Sequence, residues 1–192
     1  MRAVILAAGR GTRIAEVTGG RPKCLLSFGD RTLLDVQIES LFGLGVTDLA
    51  IVVGHARDQI ADHLARRHVR ALAHIELITN SEFAATNNMY SLWLARHWLR
   101  GERFLCLNAD VLCHPEILRP AVAARHDLSL VIDRQFREET TKVILRYGRV
   151  LALSKGISRA TADGTFVGIA TFSPRGSRQL FARAESLFAA GH

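Results

Sequence analysis

Val4-Ile5-Leu6-Ala7-Ala8-Gly9-Arg10-Gly11-Thr12-Arg13, followed by Arg21-Pro22-Lys23, is the stretch that decides the fold. An apolar run stops at two glycines, and cationic side chains follow. This pattern predicts a buried strand feeding a tight loop whose bare N–H groups can approach phosphate oxygens. Gly9 and Gly11 lack a Cβ that would hold an anion away, while Arg13 and Lys23 add charge that the backbone cannot supply. A dinucleotide fingerprint would need a third glycine at position 14, where Ile14 stands, and an acidic residue after the second strand. A P-loop would close on Gly-Lys-Ser/Thr, which is absent. An empty glycine turn explains a lone Gly-x-Gly, but it leaves Arg13 and Pro22-Lys23 without a purpose.

Outward from that loop, the chain alternates. Leu33 to Phe42 has apolar residues at helical spacing and ends at Gly43 and Gly45. Residues 49–54 read as a second buried strand, 58–67 as an amphipathic helix, and 75–78 as a third strand. A helix is expected from Asn87, capped by Thr86 or Asn87, then strands at 104–107 and 128–133. Residues 142–145 and 150–153 flank a glycine turn and predict a hairpin, followed by a strand at 166–172 and a helix over 177–189. The fold class is therefore α/β: three layers around a mostly parallel, Rossmann-like sheet with a late antiparallel hairpin. Ligands of such sheets sit beyond the carboxyl ends of the strands. Gly9, Asn80 and Asp110 each follow a strand and are expected on one rim.

The 192 residues fit one domain spanning 1–192, and a composition 48% hydrophobic and 22% charged is ordinary for a globular chain. No apolar run is long enough to span a membrane and the N-terminus lacks a signal-peptide pattern, so a cytoplasmic location without membrane attachment is expected. Cys24, Cys106 and Cys113 form no C-x-x-C pair and predict reduced thiols. The net charge of +7 comes from scattered arginines, with only three lysines. Scattering argues against a nucleic-acid partner and suits a small polyanion.

Leu-Ala-Ala-Gly-x-Gly-x-Arg followed by Pro-Lys resembles the signature of the nucleotide-sugar pyrophosphorylase superfamily of nucleotidyltransferases. Thr86 to Leu92, Glu139 to Val143, Ser154-Lys155 and Gly164 to Ile169 are similar to blocks of its phosphocholine cytidylyltransferase-like subgroup. The resemblance implies a Mg²⁺-dependent cytidylyltransferase, in which a phosphate oxygen of a small phosphomonoester or phosphonate attacks the α-phosphorus of CTP and pyrophosphate leaves. It assigns catalysis to Arg13, Lys23 and Asp110, with Asp110 as the metal ligand. It places the nucleotide on Leu6, Ala7, Ala8, Gly9, Gly11, Thr12, Asn87 and Ser91. Lys142 and Lys155 would meet the acceptor's phosphate, and Asp133, Tyr90, Trp93, Phe136 and Glu139 are candidates for facing a quaternary nitrogen.

Plainer readings stay open beside these: Asp110 as a turn residue, Asn87 as a helix cap, Trp93 as packing. A sugar-1-phosphate nucleotidyltransferase using another NTP, and a non-catalytic nucleotide-binding domain, are the rival functions; a homodimer is left open. Two departures stand out. Thr165 occupies a position that is usually acidic in the subgroup. Its members also continue beyond residue 192 and commonly bring a second metal-binding acid, which leaves three readings open: the chain lacks the family's C-terminal portion, Mg²⁺ is held by one carboxylate plus substrate, or activity is lost. Glu185 is the one acid after Asp163.

Overall fold

The computed structural model describes residues 1–11, 19–136 and 140–190. In chain order its first elements are β1 (Arg2–Ala7), β2 (Ser27–Phe28), β3 (Arg31–Thr32), α1 (Leu33–Gly43), β4 (Asp48–Val53) and α2 (Arg57–Arg67). Next come β5 (Ile75–Thr79), α3 (Asn88–Leu94), α4 (Arg96–Leu99), β6 (Phe104–Asn108) and α5 (Pro115–Ala123). The last are β7 (Leu128–Asp133), β8 (Lys142–Arg146), β9 (Arg149–Ser154), β10 (Gly164–Phe172) and α6 (Pro174–Ala189).

β1 pairs in parallel with β4 and with β6, and β4 pairs in parallel with β5. Strand residues alternate between two cores. Ala3, Ile5 and Ala7 face a cluster that contains Leu34, Ile38, Ile60, Leu64 and Leu118 of α1, α2 and α5. Val4, Leu6 and Ala8 face Leu92, Leu99 and Phe181 of α3, α4 and α6. Both faces of β1 are thus buried, which is why its sequence is continuously apolar and not alternating. Burial of each of the larger side chains, Val4, Ile5 and Leu6, contributes about 1.5–3 kcal/mol.

The strands beyond β6 are arranged less simply than an alternating pattern implies. β10, not β7, takes the free edge of β6, pairing antiparallel through residues 169–172, and β7 lies antiparallel to β10. The composition explains the order. β10 is buried along most of its length, as a strand with neighbours on both sides must be, whereas β7 is only half-buried. The hairpin of β8 and β9 joins through Gly164 and Thr165 of β10. Six of the eight strands run in one direction, so the sheet is mostly parallel in sense although its second half pairs antiparallel.

One helix escapes the sequence reading. α5 carries Pro115 in its first turn and Pro120 inside. Pro115 is favourable where no N–H partner is needed, and His114 caps the end by accepting from the Glu116 N–H through Nδ1 at 3.3 Å. Two prolines in nine residues conceal a helix from periodicity. α1 begins in a capping box: Thr32 Oγ1 accepts from the Asp35 N–H at 3.1 Å and Asp35 Oδ2 accepts from the Thr32 N–H at 2.8 Å. Among the described residues no helix is long and apolar enough to cross a membrane.

Candidate active site at the strand ends

The β1 and β6 ends are stitched together by the Ala109 N–H, which donates to the Leu6 carbonyl at 3.2 Å. In register, Leu6 lies beside Asn108, so the chain leaving β6 carries Asp110 to the rim where β1 gives way to Gly9. Lys23 reaches the same rim from a short 3-10 turn over Lys23–Leu25. Pro22 starts that turn with its fixed φ, and Cys24 and Leu25 anchor it in the core. The result is a pocket of about 150 Å³ bounded by Leu6, Ala7, Gly9, Gly11, Lys23, Asn88, Asn108 and Asp110.

Lys23 Nζ stands 3.9 Å from Asp110 Oδ2, and both side chains are partly exposed. A pair of this kind is held by less than about 1 kcal/mol, so either charge can turn to a ligand at little cost. Gly11 has φ +63°, and a Cβ there would lie 3.1 Å from Lys23 Cγ and 3.2 Å from its Cε. Glycine lets the loop adopt the left-handed conformation and lets the lysine stem cross it.

Behind the rim, Asn108 is held by its neighbours. Asn88 Nδ2 donates to Asn108 Oδ1 at 3.2 Å. Gln37 Nε2 donates to the Asn108 and Val111 carbonyls at 3.0 and 2.7 Å, bracketing the turn that bears Asp110. Gly168 (φ +90°) allows β10 to approach Asn108, whose Nδ2 would be 2.6 Å from a Cβ at that position. Asn88, Asn108, Gln37 and Gly168 were missed in the sequence. Asn88 and Gly168 lay inside quoted motif blocks, and the signal that singles them out is tertiary.

Cys24 also lines the pocket, but burial pushes its thiol up to about 12. It stays protonated at neutral pH and is no nucleophile. Burial also raises Cys106 to about 12 and raises Cys113; all three cysteines are free.

The remaining sequence-derived candidates fall in several places. Arg13 and Thr12 lie outside the described residues, as does Glu139. Ala8 is buried and its carbonyl accepts from the His55 N–H at 3.3 Å. Asn87 caps α3, its Oδ1 accepting from the Met89 and Tyr90 N–H groups at 2.9 and 3.1 Å. Ser91 is buried, its Oγ accepting from Asn80 Nδ2 at 3.0 Å. Asn80 itself is 1% exposed, so it organises the loop after β5 and does not line the strand-end pocket.

On the antiparallel side, Asp133 and Lys142 both sit opposite Thr165 in register. Lys142 Nζ donates to the Lys155 carbonyl at 2.9 Å, which brings these two lysines together. Asp133 Oδ1 accepts from the Gln135 N–H at 3.0 Å. Tyr90 is occupied elsewhere: its hydroxyl donates to Glu82 at 2.7 Å, and its ring meets Trp93 and Phe188. Arg96 lies 3.6 Å over the Trp93 ring, and Arg159 lies 5.6 Å over Phe136. Glu185 pairs with Arg100 and Arg96.

Residues 3–167 match the family model of the MobA-like NTP transferase domain. The chain is 34% identical over 164 residues to the CMP-5'-(3-aminopropyl)phosphonate synthase of Streptomyces rubellomurinus, covering 85% of this chain and 23% of that protein. It is 37% identical over 99 residues to the choline-phosphate cytidylyltransferase of Streptococcus pneumoniae, covering 52% of this chain and 41% of that one. The chain therefore spans less than half the length of either relative. The structure of the inositol-1-phosphate CTP transferase from T. maritima has the same fold, with a TM-score of 0.77 at 20% identity over 98% of this chain and 81% of the other.

Proposed function

From the premise that the chain belongs to the MobA-like NTP transferase family, we propose that it transfers CMP from CTP to a small phosphomonoester or phosphonate, releasing pyrophosphate. The observation that carries this reading is the convergence of Gly9, Gly11, Lys23 and Asp110 on one pocket beyond the strand ends. The names of the relatives, a CMP-phosphonate synthase and a choline-phosphate cytidylyltransferase, support CTP as the donor and a phosphorylated or phosphonate acceptor.

In this reaction an acceptor phosphate oxygen forms a bond to the α-phosphorus while the α–β bridging P–O bond breaks and its electron pair leaves with pyrophosphate. Two anions must meet, so the protein's task is neutralisation and in-line positioning. Lys23 meets the α-phosphate, where its ammonium matches the charge that grows in the transition state. The Gly9–Gly11 backbone cradles the triphosphate, and Arg13 meets the departing pyrophosphate. Lys142 and Lys155, gathered by their hydrogen bond, receive the acceptor's phosphate.

Mg²⁺ fits the donor set. Asp110 is the single carboxylate among the described residues lining the pocket, it is about half exposed, and hard cations take carboxylate, phosphate and water oxygens. Bound there with the triphosphate, Mg²⁺ supplies charge neutralisation of the phosphates.

The test is pyrophosphate release from CTP and from the other NTPs with Mg²⁺, against phosphocholine, aminoalkylphosphonates, inositol phosphate and sugar phosphates. CTP-selective turnover with one acceptor class is expected. A folded chain that turns over no pair overturns the reading, and selectivity for another NTP with a sugar phosphate replaces it.

A further inference from the structure

Away from the strand-end pocket, α1 and α2 bring together three side chains to which the proposed transfer gives no role. Asp35 is in the first turn of α1, His63 is in α2, and His68 is the residue that ends α2. Their side chains are 2%, 14% and 10% exposed. Both histidines aim the same ring nitrogen at the same oxygen: His63 Nε2 stands 2.7 Å and His68 Nε2 2.6 Å from Asp35 Oδ1. Among the described residues this is the only group of three His, Cys, Asp or Glu side chains whose ligand atoms all fall within 4.8 Å of one another.

We propose that Asp35, His63 and His68 form a binding site for a zinc-type divalent cation, with one coordination position open to the neighbouring cleft. Three features support an ion here beyond the composition of the cluster. First, two imidazoles from α2 and its end and one carboxylate from α1 gather three ligand atoms within 4.8 Å of one another, close to what a tetrahedral ion with protein–metal bonds of about 2.0–2.2 Å requires. Ligand atoms around such an ion stand about 3.3 Å apart, so the two rings need to retreat by only about 0.6 Å from their contacts with Asp35.

Second, the carboxylate is already oriented by partners outside the cluster. Asp35 Oδ2 accepts from the Thr32 N–H at 2.8 Å, leaving Oδ1 for the ion; such outer partners fix ligand geometry in metal sites. Burial alone would push the Asp35 carboxyl up, but the hydrogen bonds from the Thr32 backbone, His63, His68 and the Thr32 hydroxyl hold it well below the usual carboxylate range.

Third, the site is closed on one side and open on the other. Thr32, Asp35 and His63 form part of the wall of a cleft of about 530 Å³, which Arg21, Arg66 and Arg67 line together with Asp30 and Asp62. Three protein ligands and one open position are the arrangement in which zinc keeps a water or takes an external ligand.

Loading balances without redox chemistry. Each ring carries a proton on Nε2 when it donates to Asp35; on coordination that proton leaves Nε2 and, through water, Nδ1 becomes protonated instead. A neutral imidazole then supplies its Nε2 lone pair, and the His–Asp hydrogen bonds are replaced by three bonds to the ion. Imidazole nitrogen with a single carboxylate suits zinc and its neighbours better than Mg²⁺, which keeps this site distinct in preference from Asp110.

The experiment uses the full chain, stripped with chelator and free of nucleotide and Mg²⁺. Zn²⁺ is titrated calorimetrically and Co²⁺ is titrated with its visible absorbance followed. One Zn²⁺ per chain at about 1 µM Kd or tighter is expected, with an intense four-coordinate Co²⁺ band. His63→Ala and His68→Ala are each expected to weaken binding at least about tenfold, the size of effect typical of disturbing a zinc site. His74→Ala, at a surface pair with Asp48, leaves binding unchanged.

Absence of stoichiometric uptake, or uptake that survives both His63→Ala and His68→Ala, overturns the proposal. If those variants do not fold, the wild-type Co²⁺ spectrum decides alone: a weak, six-coordinate spectrum overturns the site. None of these readouts depends on nucleotidyl transfer, so failure here and failure of the proposed function are separate results.

Discussion

Asp110 and Asp35 are both carboxylates facing basic groups, and they are held in opposite ways. Asp110 is half exposed, and among the described residues its ionic partner is Lys23 at 3.9 Å. Asp35 is buried and accepts from the Thr32 backbone and from two histidines at 2.6 and 2.7 Å. Water screens the first pair, so little is lost when a ligand separates it. Burial magnifies the second set, so removing one member strands the others. Arg21 and Lys23 repeat the contrast. They flank Pro22 and line different pockets, one beside Asp35 and the other beside Asp110.

The sharpest way to break the comparison is Asp110→Asn. If this carboxylate serves ligands and not the fold, CTP-dependent pyrophosphate release falls about a thousandfold while the urea midpoint stays nearly unchanged. A variant that loses activity by unfolding would erase the distinction. Lys23→Ala tests the other half of that pair. A loss of about a hundredfold in kcat/KM is expected, again with stability preserved, as for removal of one transition-state donor.

Asp35→Ala should behave in the opposite manner. It removes the carboxylate half of the capping box and leaves the Thr32 N–H and two imidazoles without their acceptor, so about 2–3 kcal/mol of stability is lost, measured by urea denaturation. An unchanged midpoint would show that the buried carboxylate holds nothing. Gly11→Ala gives the smallest effect and sharpens the first region further. A Cβ at φ +63° is strained by about 1 kcal/mol and crowds the Lys23 stem, so a modest drop in stability with about tenfold weaker CTP affinity is expected in calorimetry.

Much of this was legible in the chain before folding. The apolar run into Gly9 and Gly11, the helical spacing after Thr32, and the hairpin around Gly148 are local patterns, and each element formed where its pattern lay. The rim was legible too: a parallel sheet places strand ends on one side, so Gly9 and Asp110 had to approach each other. α5 was not, because its two prolines disguise its periodicity.

Apart from α5, sequence alone determined where the main strands and helices form and which of their faces avoid water, since period and composition act within a single element. Only the tertiary structure decided which face meets which. It put β10 between β6 and β7 and turned Asn88, not its neighbour Asn87, toward the strand-end pocket. It also closed Asp35, His63 and His68 on one point, although 28 residues separate the first two. No spacing rule encodes such a meeting, because it depends on how two helices dock on the same sheet, and docking is settled by the whole core at once.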